Sequence, residues 1–224
     1  MRKKRMLLWE KKAFLDGASL IIGMDEAGRG PLAGPVVAGA VSLKRSPLKR
    51  FSLPQYRERI DDSKKIAQGQ REKSFCEISK KAVFGIGKKD HQFIDKKNIR
   101  VATLSAMREA VKNLLKDYCR VNNKKESQIR KKVCVLVDGN MDPGLPYRTV
   151  RIIKGDSKSL SIAAASIIAK VTRDRMMDFF DRRFPRYGFS RHKGYGTKAH
   201  LEAIKTYGPC QIHRKSFAPM KNDF

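Results

Sequence analysis

Acidic residues are scarce in this 224-residue chain: 22 Asp and Glu stand against 50 Lys and Arg, leaving a formal net charge of +28 at pH 7. Such a field attracts polyanions, and nucleic acid is the commonest polyanionic partner of a folded domain. On charge alone an anionic membrane surface competes with it. Cysteine is sparse too. Cys76, Cys119, Cys134 and Cys210 are widely spaced and form no Cys-x-x-Cys pair, which argues against a zinc ribbon or disulfide framework and for reduced thiols in a cytoplasm. No apolar run approaches the roughly 20 residues of a membrane span. The start Met1-Arg2-Lys3-Lys4-Arg5 has the charge of a signal peptide's first region, but the apolar stretch from Met6 to Trp9 stops at Glu10-Lys11-Lys12, too soon for a secretory core. Internal repeats and low-complexity segments are absent. The expectation is a cytoplasmic protein without a membrane partner, monomeric by default.

What is present is an ordinary hydrophobic share, 41%, in a length that suits one generous domain with a sizeable core. A basic N-terminal segment, 1–18, precedes that domain, 19–220. Lys44 to Asp62, with Pro47 and Pro54 among basic and polar residues, reads as a loop inside it. Leu20 to Met24, Val36 to Val41, Ala82 to Ile86, Val133 to Val137 and Thr149 to Ile153 are short apolar runs that read as strands. Between Ile99 and Lys116, Val101, Leu104, Met107, Val111 and Leu114-Leu115 make an amphipathic helical stripe. Ser159 to Phe180 is helical, with a first half apolar nearly all round, as in a helix packed centrally on a sheet. After Phe184 the chain turns loop- and helix-like. Strands first, then helix and strand in alternation, indicate an α/β protein with a mixed sheet.

Several of the few acids stand where acids are least comfortable, directly after apolar strands. Asp25 and Glu26 follow the first run, Asp138 the fourth and Asp156 the fifth. Strand C-terminal ends are where α/β sheets build sites, and close carboxylates raise one another's pKa unless a cation intervenes. Hard oxygen donors favour Mg2+ or Mn2+ over zinc. Bland readings stand beside these: Asp138-Gly139 is equally a turn signal, and Asp156 equally a helix N-cap. The adjacent pair Asp25-Glu26, followed by Ala27-Gly28-Arg29-Gly30-Pro31-Leu32-Ala33-Gly34-Pro35, is harder to explain away.

These residues carry a resemblance. Gly23-Met24-Asp25-Glu26-Ala27-Gly28-Arg29-Gly30-Pro31-Leu32-Ala33-Gly34-Pro35-Val36-Val37 closely resembles the signature of bacterial ribonuclease HII. The likeness continues through Asp61-Asp62-Ser63-Lys64-Lys65, then a helix bearing Ile94-Asp95, Asn98-Ile99, Ala102-Thr103 and Ala106-Met107. Val137-Asp138-Gly139-Asn140 and Lys154-Gly155-Asp156-Ser157-Lys158 follow, leading into Ile162 to Asp174, with His192 to Thr197 and His213 to Pro219 closing the series. It spans Trp9 to Met220 in order. Ribonuclease HIII, with an extra N-terminal domain and no such Gly-Arg-Gly, fits less well.

The resemblance implies a ribonuclease H-like fold: a mixed five-stranded sheet flanked by helices, with a C-terminal helical extension, about 175–220, that binds substrate. It makes Asp25, Glu26, Asp138 and Asp156 the catalytic and metal-binding set for Mg2+ or Mn2+, two ions during catalysis. It assigns Gly28, Arg29 and Gly30 to sensing a ribonucleotide's 2′-hydroxyl, the group that separates RNA from DNA. It places Tyr195 on the sugar at an RNA–DNA junction, and Lys64 and Ser157 among the substrate contacts. His192, His200 and His213, near those motifs, are expected to be structural or phosphate-contacting and not general bases. The implied substrates are RNA–DNA hybrid and ribonucleotide-containing duplex DNA. The alternative is a non-catalytic basic RNA-binding protein, which charge and size suit equally well.

Overall fold

The computed structural model describes residues 6–44, 47–48, 50–53 and 55–223. Within them the apolar runs form strands β1 (Leu20–Ala27), β2 (Val36–Ser42), β3 (Val83–Lys89), β4 (Val133–Asp138) and β5 (Arg148–Ile152). They pair into one sheet ordered β3-β2-β1-β4-β5, antiparallel across β3, β2 and β1 and parallel across β1, β4 and β5. This is the expected mixed five-stranded sheet. One boundary matters: Asp25 and Glu26 lie inside β1, not after it. The apolar run ends at Met24, but backbone pairing with β2 continues to Ala27, because ladder bonds do not depend on side-chain polarity.

Helices α1 (Leu8–Leu15), α2 (Gln68–Lys81), α3 (His91–Lys97), α4 (Ile99–Val121), α5 (Leu160–Arg183) and α6 (Lys198–Tyr207) accompany the sheet. Period-two alternation gives it two apolar faces. Leu20, Ile22, Met24, Val36, Ala38, Ala40, Val133, Val135 and Val137 join α4 in one core cluster. On the opposite face Ile21, Cys134 and Leu136 pack on Ile162, and Val41 packs with the all-round apolar start of α5.

The motif residues from Ile94 to Met107 predict one helix. Instead Asn98 adopts φ +67 and separates α3 from α4, its side chain accepting a hydrogen bond from the Val101 N–H at 3.0 Å. Val101, placed on the apolar stripe, is 41% exposed; Ala102, Ala106 and Ala110 take the buried side. α2 went unread because its buried residues are only Ser74 and Ile78, too few for an amphipathic signal. Asp156 is not the N-cap of α5. Ser159 is, accepting from the Ile162 N–H at 3.3 Å.

In the N-terminal segment, Glu10 is buried and accepts from the Ser161 N–H at 2.9 Å and from the Ser159 and Ser161 hydroxyls, which ties α1 to the start of α5. Met1 to Arg5 lie outside the described residues. So do Arg45, Ser46, Lys49 and Pro54 of the basic loop, whose Leu48, Tyr56 and Ile60 are buried. α5 continues past the sheet to a fourth cluster, where Met177 packs with Ala33, Phe189, Ile204 and Ile212.

α5 lies in backbone contact with the sheet at Gly39, where a Cβ would stand 2.5 Å from the Ala165 carbonyl oxygen. Gly39→Ala is therefore expected to cost about 1–3 kcal/mol. Thermal melting followed by circular dichroism should show this as a lower Tm, by roughly 2–4 °C per kcal/mol. An unchanged Tm would contradict this seating of α5.

Candidate active site

β1 and β4 are parallel neighbours whose register pairs Met24 with Val137. The next residue on each strand is an aspartate, so strand pairing sets Asp25 and Asp138 side by side at the C-terminal end of the sheet. Asp25 is paired across β2 with Gly39 and is only 6% exposed. Its Oδ1 accepts from the Glu26 N–H at 2.7 Å, and the Ser166 hydroxyl of α5, which eases its ionisation, lies 2.8 Å from the Ser63 hydroxyl. Glu26, the next residue, is reached by the Arg29 guanidinium at 3.4 Å.

The electrostatics follow from burial. Desolvation pushes the Asp25 carboxyl well above the usual carboxylate range, and the neighbouring Glu26 and Asp138 charges push it further. Glu26 is raised by burial against the opposing pull of Arg29, and Asp138 raises it too. Asp156 is raised by burial, then by Asp138 and Asp62, with Lys64 acting the other way. In a chain carrying +28, this is a local concentration of negative charge.

Asp25, Glu26 and Asp138 border an open pocket of about 320 Å³. Gly28, Arg29, Gly30, Lys64 and Tyr195 share its wall, so most of the residues singled out in the sequence meet there. Asp156 and Ser157 do not border it. They occupy the single 3-10 turn Gly155–Ser157, where the Asp138 carboxylate accepts from the Gly155 N–H at 2.6 Å. The Ser157 hydroxyl is spent locally, donating to the Lys154 carbonyl at 2.9 Å. Asp156 stands beside the pocket, near enough for Asp138 and Lys64 of its wall to act on its carboxyl.

The glycine-rich loop is held from beneath. Arg173, fully buried on α5, donates to the carbonyls of Pro35 at 2.9 Å, Ala33 at 3.1 Å and Lys193 at 3.0 Å. Arg214, equally buried, donates to the carbonyls of Gly28 at 2.6 Å, Arg29 at 2.9 Å and Gly34 at 3.0 Å. Burial lowers Arg173 to about 10, and burial with repulsion from Arg173 lowers Arg214 to about 9. Gly28, at φ +96, leaves no room for a Cβ, which would stand 2.1 Å from the Arg173 Nε. Asp95 secures the Arg214 segment by accepting from the Lys215 and Ser216 N–H groups at 3.0 and 2.9 Å.

Arg173, Arg214, Lys170, Ser63 and Ser166 fall within the motifs of the resemblance, but sequence reasoning assigns them no role, although Lys170, Arg173 and both serines also border the pocket. Among 50 basic residues, the type of these two arginines does not reveal what they do. Burial against bare carbonyls is what marks them.

The donors are all carboxylate oxygens, the chemistry of hard divalent cations. Among the described residues no group of three or more His, Cys, Asp or Glu side chains is already arranged to hold a metal ion. Among the described residues no helix is long and apolar enough to cross a membrane.

Residues 22–220 match the family described as Ribonuclease HII. A ribonuclease HII of Acetivibrio thermocellus is 48% identical over 219 residues, covering 96% of this chain and 76% of that protein. Of solved structures, a ribonuclease H2 from Pyrococcus horikoshii superposes with a TM-score of 0.64 at 24% identity, covering 90% of this chain and 95% of that one. A ribonuclease HIII solved in complex with Mn2+ (Bst-RNase HIII) gives 0.62 at 17% identity, covering 93% of this chain and 70% of that one. At these identities the two structures speak for the shared fold.

Because the Asp25 pKa is raised in the folded state, its contribution to the stability of the metal-free protein is greatest below the unfolded value. That contribution is lost as pH rises through the folded value. Asp25→Asn is expected to raise the Tm of metal-free protein near neutral pH, on the order of 1 kcal/mol, while weakening Mn2+ binding in calorimetric titration. A lower Tm with unchanged Mn2+ affinity would contradict both halves.

Proposed function

The chain belongs to the ribonuclease HII family of hydrolytic nucleases, and from that premise we propose that it cuts the phosphodiester on the 5′ side of a ribonucleotide. The substrates are RNA–DNA hybrids and RNA–DNA junctions in duplex DNA, and the products carry 5′-phosphate and 3′-hydroxyl ends. Such an activity serves removal of misincorporated ribonucleotides and of RNA primers. One observation carries the reading: buried Asp25 and half-buried Glu26 and Asp138 share a pocket with Gly28, Arg29, Gly30, Lys64 and Tyr195, inside a chain of net charge +28.

In the reaction a water oxygen bonds to phosphorus, the bond from phosphorus to the upstream O3′ breaks, and that oxygen leaves as a hydroxyl. Asp25 and Asp138 are the direct ligands in this reading, with Glu26 and Asp156 completing the set from either side. The raised carboxyls are groups that a divalent cation would return to their charged form. When bound, Mg2+ or Mn2+, as a pair, supplies activation of the water and neutralisation of charge on the leaving oxygen. The Mn2+ seen in the ribonuclease HIII neighbour is in keeping with that donor set.

The chain's own residues do the rest. Arg173 and Arg214 occupy the carbonyls of the Gly28 to Pro35 loop, which fixes the backbone meant to read a 2′-hydroxyl. Lys64 offers a cation to the phosphate. Tyr195, 46% exposed, borders the pocket with a ring carbon 3.6 Å from where a Gly30 Cβ would lie, and its role in this reading is to meet the sugar. Ser157 is the weakest member, since its hydroxyl is already committed to Lys154. A non-catalytic RNA binder accounts for the charge, but buried carboxylates facing the bound phosphate would work against it.

Duplex DNA with one embedded ribonucleotide, supplied with Mg2+ or Mn2+, should be cut at that position, and the all-deoxy duplex left intact. Asp138→Asn should abolish cleavage while hybrid binding persists in gel-shift titration; cutting at the wild-type rate would remove Asp138 from the site. Tyr195→Ala should lower kcat on the junction substrate more than it raises KM, by roughly tenfold or more if the ring positions the scissile phosphate. An unchanged kcat would return Tyr195 to a merely structural role.

A further inference from the structure

Behind Tyr195 lies a group of histidines that the chemistry above leaves unused. His200 and His213 are fully buried, and His192 stacks on His200 with ring centroids 4.3 Å apart. Two backbone groups determine how the buried pair carries its protons. The Cys210 N–H donates to Nδ1 of His213 at 2.8 Å, so that nitrogen is bare and the proton sits on Nε2. The Cys210 carbonyl, 3.2 Å from the same nitrogen, already accepts from the His213 N–H at 3.0 Å. At the other end Nδ1 of His200 lies 2.9 Å from the Tyr195 carbonyl, which can only accept, so His200 is protonated there. The two Nε2 atoms face each other at 3.1 Å, and one proton between them completes the chain. A further proton on either ring would set two N–H groups head to head. Burial lowers both to about 4, in keeping with a neutral pair.

The direction of donation is then Cys210 N–H to His213, His213 to His200, and His200 to the Tyr195 carbonyl. The neighbouring backbone is held as tightly. Gly194 N–H donates to His192 Nδ1 at 3.2 Å, Tyr195 N–H to the His192 carbonyl at 3.0 Å, and Leu32 N–H to the Gly194 carbonyl at 2.8 Å. The last bond ties the Tyr195 turn to the glycine-rich loop.

We propose that His213 and His200 are positioning residues, a fixed-tautomer relay that sets where the Tyr195 ring meets the ribonucleotide. The proposal rests on the reading of Tyr195 as a substrate contact. It makes the discrimination of a junction depend on two histidines that touch no substrate.

The tautomers are read directly by nitrogen-15 NMR of the imidazoles in the intact protein at neutral pH. Protonation at Nδ1 of His200 and Nε2 of His213 is expected; the reverse assignment, or rapid averaging of the two, overturns the relay. The functional arm is a double-mutant cycle on the embedded-ribonucleotide duplex. His200→Phe keeps the aromatic packing against Phe189 but removes the donor, and is expected to lower kcat roughly tenfold with little change in KM. His200→Asn, whose amide can replace Nδ1–H, should recover part of that loss. In the Tyr195→Ala background His200→Phe should add nothing, because its effect passes through the ring. If Tyr195→Ala alone leaves kcat unchanged, the reading of Tyr195 fails. If Tyr195→Ala slows cleavage while His200→Phe does not, or the two effects add in full, the relay fails and the Tyr195 reading stands.

Discussion

The pairing of β1 with β4 is the constraint on which the rest depends. It holds Asp25 against Asp138 on adjacent parallel strands, where burial and the neighbouring Glu26 and Asp138 charges disfavour the ionised form of Asp25. A protein folding for stability alone would avoid that arrangement. This one accepts it within a fold of large apolar cores on both sheet faces, and the cost is confined to one pocket. In the proposed reading the same destabilisation suits the pocket to a divalent cation, so the stability cost and the chemistry would have one origin.

Around that pocket the fold spends its buried polar groups on holding loops still. Arg173 and Arg214 are buried cations satisfied by neutral carbonyls, and between them they bind the backbone of Gly28, Arg29, Ala33, Gly34 and Pro35. Their burial is expensive on its own, and loop rigidity is the return on it. The histidines do the same for the Tyr195 turn from the far side. The two devices meet where Leu32 N–H donates to the Gly194 carbonyl. The wall formed by the glycine-rich loop and the Tyr195 turn is therefore one hydrogen-bonded unit, connected to α5 through Arg173 and to the C-terminal segment through Arg214.

Long apolar runs were legible because burial on both faces of a sheet leaves them nothing polar to alternate with. α5 was legible for the same reason. α2 was not, since two buried residues make no periodic pattern, and the break at Asn98 was not, since one residue in a left-handed conformation leaves the surrounding helical pattern intact. In the site, the acids of β1 and β4 stood out by type in a basic chain, whereas Arg173 and Arg214 were hidden among residues like themselves.

Read alone, the sequence determined the mixed α/β class, the family resemblance and the acids of the candidate site, because the scarcity of acids, apolar runs and ordered motifs are properties of the chain itself. Tertiary structure alone decided that Asp25 and Asp138 stand side by side, that Asp156 and Ser157 lie outside the shared pocket, and that two arginines and two histidines brace its walls. Register, burial and the direction of each hydrogen bond are relations between distant segments, and no local pattern carries them.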